Sequence, residues 1–184
     1  MFRILTLAIF ISFLLPSTIW ATTGFEGLNL VAAFNVNSNR QSNSETAEKV
    51  EETNKIMSTR LGYTMEGGFY LGVIDETQNT NNGILDLKTN NKGGTIGITD
   101  KGCYIAYHFL NGSTKELSKT TTLKGKGSGV DFGRQFDLGG ALSFGAQLSF
   151  RSIVYDISET EGVASAIKFE SHSMKPMLTF GLTF

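Results

Sequence analysis

Cysteine occurs once in the 184 residues (Cys103), tryptophan once, and proline and histidine (His108, His172) twice each. A single cysteine excludes an internal disulfide, and one cysteine with two histidines excludes a Cys/His metal cluster, so no metal and no cofactor is expected. Charge of either sign is also scarce in excess: 16 Lys+Arg stand against 17 Asp+Glu. That balance gives no support for nucleic-acid binding. Beyond Leu15 there is no apolar run near the roughly 20 residues that a helix needs to cross a bilayer. What is abundant is glycine, at 21, and phenylalanine, at 14, a composition of strands and turns.

The N-terminus differs from the rest. Met1-Phe2-Arg3 gives a positive start, Ile4 to Leu15 is almost wholly apolar, Pro16-Ser17-Thr18 breaks the run, and Ala21 supplies a small residue for cleavage. This is the layout of a secretory signal peptide. As a helix its apolar part rises only about 18 Å, short of a roughly 30 Å hydrocarbon core, so an anchor is disfavoured. Residues 1–21 are expected to be removed, with Thr22 following and no lipid-attachment cysteine. Residues 22–184 are expected to form one domain.

That domain alternates with period two, the pattern of strands with one apolar face. Met174, Pro176, Leu178, Phe180, Leu182 and Phe184 share one face, against Ser173, Lys175, Met177, Thr179, Gly181 and Thr183. Leu142 to Phe150, Leu28 to Val36 and Met57 to Met65 repeat the pattern. The second face is small or polar each time. A soluble sandwich fills its apolar face with a core, whereas a membrane barrel turns that face to lipid and keeps a narrow polar interior. Strands at Phe69–Asp75, 92–99, Cys103–Leu110 and Lys124–Phe136 complete about eight. Gly67-Gly68, Asp100–Gly102 and Asp137–Gly140 read as tight turns. Ser38–Asn54, Glu76–Asn91, Asn111–Leu123 and Ser158–Ala166 read as long polar loops. Long and short alternate, as an antiparallel up-and-down transmembrane barrel with short periplasmic turns and longer outer loops requires.

The C-terminal stretch from Pro176 to Phe184, closing on a terminal Phe after alternating apolar residues, resembles the recognition strand of outer-membrane barrels. Phe180, Leu182 and Phe184 carry that likeness, which implies handling by the barrel-assembly machinery. Arg60-Leu-Gly-Tyr63 and Gly68-Phe-Tyr-Leu-Gly72 around a short turn are similar to small barrels of the OmpA/OmpX/OmpW-like superfamily. The resemblance implies an eight-stranded barrel in the outer membrane of a Gram-negative cell, with outer-membrane lipids and lipopolysaccharide as neighbours.

Candidate sites follow from the alternation. Arg60, Glu66, Asp131, Arg151 and Lys175, with Lys124 and Lys126 as further members, are expected on the inward face. They make either a pore lining or a salt-bridge network that fills a closed interior. An acidic outer loop carries Glu45, Glu48, Glu51 and Glu52 and suits a basic partner or bridging cations, or is simply solvated. His108 falls on the inward face with Tyr104 and Ala106. Glu170-Ser171-His172-Ser173 holds the residue types of a nucleophilic hydrolase, but neighbours on a strand point to opposite faces, so no catalytic residues are assigned. Gly125-Lys-Gly-Ser-Gly129 lacks the spacing and following helix of a phosphate loop. The expected role is therefore non-enzymatic, structural or interactive at the envelope. The alternatives are a narrow porin-like pore or an OmpW-like transporter of small hydrophobic solutes, and a lipid-modifying enzyme after these. The surface ligand is open.

Overall fold

A computed structural model describes residues 26–42, 49–81, 83 and 85–184, with the side chains of 38–42 and 49–52 left aside. Residues 1–21, where the signal peptide is expected, lie outside this range, as do Glu45 and Glu48. Eight antiparallel strands close into a barrel in sequence order. They are β1 (Gly27–Ser42), β2 (Lys49–Thr64), β3 (Phe69–Asn81), β4 (Asp86–Asp100), β5 (Cys103–Glu116), β6 (Thr121–Gly139), β7 (Leu142–Thr160) and β8 (Val163–Thr183). Closure removes the sheet edges that an open sheet would leave unpaired in lipid.

The two faces of each strand part as period-two alternation demands. On β1, Asn29, Val31, Ala33 and Asn35 are buried inside, while Leu28, Phe34 and Val36 are exposed outside. On β2, Ser58 and Arg60 are inside and Met57, Leu61 and Tyr63 outside. Outer aromatic rings meet across neighbouring strands, with Phe180 between Phe34 (centroids 6.4 Å) and Phe144 (5.1 Å). On several strands the outward apolar run gives way to polar residues. Val73 is followed by Asp75 on β3, Phe109 by Asn111 on β5, and Met174 is preceded by His172 on β8.

The connections correct the expected loops. Three short turns are as expected, and the one between β2 and β3 places Gly67 and Gly68 at φ 86° and 83°, a region where a side chain is strained. The four long polar segments, however, are mostly strand. Pairing continues from Asn37↔Asn54 to Ser42↔Lys49, from Glu76↔Asn91 to Asn81↔Asp86, and from Ser158↔Ser165 to Thr160↔Val163. Glu51 and Glu52 therefore stand in β2, opposite Arg40 and Asn39. With strands of 13 to 21 residues against the 9–11 that cross a bilayer, these hairpins project well beyond the apolar belt.

The closing seam is short. β1 and β8 pair only from Asn29↔Thr183 to Phe34↔Leu178. Reciprocal bonds between Leu28 and Phe184 fix the phase, so Phe34↔Leu178 is a hydrogen-bonded pair and Val36↔Pro176 would be the next. Pro176 has no N–H to give there, and the Asn35 side-chain amide takes its carbonyl from the inner face instead. A proline whose missing donor faces β1 ends that ladder without disturbing the β7 side.

Candidate functional site: an ion-paired plug in the barrel interior

Eight strands leave an interior about as wide as the side chains that fill it. Here two buried carboxylates organise the filling. Asp131 of β6 lies 2.7 Å from Arg151 Nη1 through Oδ1. Its Oδ2 lies 2.9 Å from His108 Nε2 and 3.7 Å from Arg60 Nη1, and accepts a 3.2 Å hydrogen bond from Gln147 Nε2. Glu76 of β3 receives Arg151 Nε at 3.1 Å and lies 2.9 Å from its Nη2, both through Oε2. Its Oε1 receives Lys175 at 3.1 Å and Asn91 Nδ2 at 3.0 Å. Arg151 thus bridges the two acids, using the fork geometry that only a guanidinium offers.

Gln147 ties in the next layer. Its Oε1 accepts from Arg60 Nη2 at 3.1 Å and from the Tyr104 hydroxyl at 2.6 Å, and the Arg60 guanidinium sits 4.7 Å above the Tyr104 ring. Glycines make room for the rings. A Cβ on Gly133 would stand 2.3 Å from Tyr104 Cζ, and one on Gly62 would stand 2.6 Å from the Tyr70 hydroxyl. Small residues on these strands are therefore the complement of large ones on the neighbouring strand. Beside the charges, on the hairpin half of the interior, Ile74, Leu110, Leu123, Ile153 and Tyr155 form an apolar cluster.

The interior brings together Arg60, Asp131, Arg151 and Lys175 from the sequence-derived set, all buried. Glu66 does not join them. β2 ends at Thr64 and Glu66 is exposed in the turn, because the chain leaves the sheet at Met65, before the alternation reaches Glu66. Lys124 and Lys126 are also outside; counted back from inward Asp131, both fall on the lipid-side parity, and Lys124 pairs with Glu159. Glu76, assigned to a loop from its polar surroundings, is wholly buried and second in importance only to Asp131. Alternation continued from Ile74 would have found it.

His108 is held at both ring nitrogens' reach, by Thr95 Oγ1 at 2.8 Å from Nδ1 and by Asp131 at Nε2. The connectivity is that of a nucleophile, base and acid, yet all three are buried, so no substrate reaches Thr95. His172 is exposed on the outer face. Gly125 to Gly129 is part of β6, and no helix follows. Phe180 lies in the outer aromatic cluster, Leu182 pairs with Leu30 and Leu142, and Phe184 bonds back to Leu28. Among the described residues no group of His, Cys, Asp and Glu is arranged to hold a metal ion.

A closed antiparallel barrel of eight strands, apolar on its outer belt and ion-paired within, is a transmembrane β-barrel. Among solved structures it is similar to Neisserial surface protein A (NspA), with a TM-score of 0.49 and 13% identity over 85% of this chain and 96% of that one. No protein-family model and no curated protein sequence matches the chain.

Proposed function

We propose that this barrel resides in the outer membrane of a Gram-negative cell after signal-peptide export, with a sealed interior and projecting hairpins that act at the cell surface. The observation that carries this reading is the plug. Asp131, Glu76, Arg151, Lys175 and Arg60 span the lumen as one ion-paired unit, with the apolar cluster of Ile74, Leu110, Leu123, Ile153 and Tyr155 beside it. A conducting pore needs a continuous wet path, whereas here the charges are spent on each other. The role is then structural or interactive. Lipopolysaccharide and other outer-membrane lipids surround the belt, and the C-terminal Phe180, Leu182 and Phe184 serve assembly.

Reconstitution into planar lipid bilayers tests this. The expected result is no discrete current step across a wide voltage range. Reproducible unitary openings would overturn the sealed-barrel reading in favour of a narrow pore. The second reading, lateral transport of small hydrophobic solutes, is favoured by one observation, the short β1–β8 ladder ending at Phe34↔Leu178. Uptake of such a solute into vesicles that are electrically silent would select it.

A further inference from the structure

On the outer face of β6, β7 and β8 the apolar run ends in two successive rows. Val130, Phe150 and Met174 stand side by side in one row. Ser128, Ser152 and His172 stand in the next, towards the projecting hairpins, each directly opposite its neighbour. A shallow hollow of about 460 Å³ runs over both rows. The change from apolar to polar side chains marks the boundary between hydrocarbon and headgroups, the level at which the ester carbonyls of a lipid lie.

Of the run Glu170-Ser171-His172-Ser173, only Glu170 and His172 share the outer face, so a hydroxyl for them must come from another strand. The β7–β8 register supplies it. Thr183 N donates to Ala141 O, and the pairing runs from there without a shift to Ser152↔His172. Inward residues are therefore the hydrogen-bonded pairs of this ladder. Ser152↔His172 is a non-hydrogen-bonded pair, the kind whose Cα atoms approach to about 4.5 Å with their side chains close. His172 Nε2 lies 4.0 Å from Glu170 Oε2, and Lys168 holds the other oxygen of that carboxylate at 3.2 Å.

Unlike the buried set of Thr95, His108 and Asp131, this one is open. The side chains of His172 and Glu170 are 68 % and 48 % exposed, and Ser152 is exposed between them and β6. Hydroxyl, imidazole and carboxylate in this order are the parts of a nucleophilic hydrolase. Ser128 stands on the side of Ser152 away from His172, where its hydroxyl can donate to an oxyanion that forms on a carbonyl over Ser152. Exposed Lys126, two residues before Ser128 on the same face, is placed to meet a lipid phosphate.

We propose that Ser152 and His172 hydrolyse an acyl ester of a membrane lipid, carried either by a glycerophospholipid or by the lipid anchor of lipopolysaccharide. Val130, Phe150 and Met174 seat the acyl chain next to the ester. Ser152 Oγ attacks the carbonyl carbon while His172 takes its proton, and Ser128 donates to the oxyanion. The acyl C–O bond then breaks as His172 returns the proton to the leaving alkoxide, which departs as the deacylated lipid. Water, deprotonated by His172, attacks the acyl-serine, and Ser152 recovers its proton as the fatty acid leaves. Glu170 acts through His172 as a positioning residue. The inference goes beyond the preceding reading and rests on it for one point, that the hairpin end of the barrel lies in the outer leaflet.

The test uses the full chain refolded from inclusion bodies, free of host lipases, in a zwitterionic detergent without esters. A heated and unheated gel of each sample establishes the barrel independently. Micelles of dioleoyl phosphatidylethanolamine and of purified lipopolysaccharide are the substrates, and fatty acid and deacylated lipid are measured by mass spectrometry. The expected result is release of both products in equal amount, abolished by Ser152→Ala and by His172→Ala and lowered at least tenfold by Ser128→Ala. Glu170→Gln should lower kcat at least tenfold at unchanged KM, with partial recovery in Glu170→Asp. A fluorophosphonate probe should label Ser152 in the native chain and fail to label it in His172→Ala. Release from either lipid supports the site, and the one that is cleaved identifies the source. No release from either lipid by a barrel that shows the heat shift overturns the proposal, as does release undiminished in Ser152→Ala. Hydrolysis in micelles does not depend on which way the hairpins face; protease access to the hairpins on intact cells tests that reading separately.

Discussion

Arg151 touches both buried acids of the interior, lying 2.7 Å from Asp131 Oδ1 with one nitrogen and 2.9 Å from Glu76 Oε2 with another. Its removal therefore leaves two carboxylates under-compensated at once. Deleting one member of a buried ion pair typically costs about 3–5 kcal/mol. Arg151→Met is expected to lose at least that much in urea-driven unfolding from lipid vesicles. Arg151→Lys keeps the charge but cannot fork between the acids, and should fall between the two. Wild-type stability in Arg151→Met would mean that the acids are neutralised without it.

The rings inside the barrel rest on glycines, and this gives a second expectation. Gly133→Ala brings a methyl group to 2.3 Å from Tyr104 Cζ, so the ring must move and its 2.6 Å bond to Gln147 must stretch or break. Overpacking of this kind costs about 1–3 kcal/mol. Because the clash involves one side chain, combining it with Tyr104→Leu should be less than additive, with a coupling of about 0.5–3 kcal/mol. Strict additivity in a double-mutant cycle would place the cost in the backbone of β6 instead.

The residues that could be read from the sequence were those whose burial and chemistry agree. Leu28 to Val36 and Met174 to Phe184 alternate apolar with small or polar, so their faces followed directly. Strand length did not follow. The segments Glu76–Asn81 and Asp86–Asn91 are polar but for Leu87, and polarity without an apolar face reads as loop, but ladder bonds and side-chain pairs such as Thr77 with Asn90 hold them extended. Glu76 was lost with its segment. Glu66 failed for the opposite reason, since alternation carries no signal of where a turn cuts it off. Only pairing across the lumen joins Glu76 to Arg151, 75 positions away, and no local pattern encodes that contact.

Facing gives the third prediction. Leu148 points to lipid while its neighbour Gln147 is fully buried and bonded to Arg60, Tyr104, Asp131 and Ser149. Leu148→Arg is expected to cost about 2–4 kcal/mol if its depth is near the bilayer midplane. Gln147→Leu removes no charge, yet it strips partners from Arg60 and Tyr104, each about 1–3 kcal/mol when left unmet. Both should destabilise in vesicles. In a detergent that hydrates the belt, Leu148→Arg should recover and Gln147→Leu should not. The reverse pattern would invert the register of β7.

The last prediction concerns the seam. The β1–β8 ladder stops where Val36 would face Pro176, and the missing N–H of Pro176 is the local cause. Pro176→Ala supplies a donor aimed at β1 in the same phase as Leu178, so the Val36↔176 pair can form and the Asn35 amide is released from the carbonyl of residue 176. One added backbone bond is worth about 0.5–1.5 kcal/mol net. The readout is amide hydrogen exchange at Val36, expected to slow in Pro176→Ala while exchange at Val31, whose N–H faces β2, stays constant. If exchange at Val36 is unchanged, the seam is held open by the divergence of the projecting hairpins and not by the proline. Asn35→Ala separates the two causes further. It should speed exchange around residues 176–178 in the proline chain, where the side-chain bond is the last tie, and have little effect once Pro176→Ala has extended the ladder.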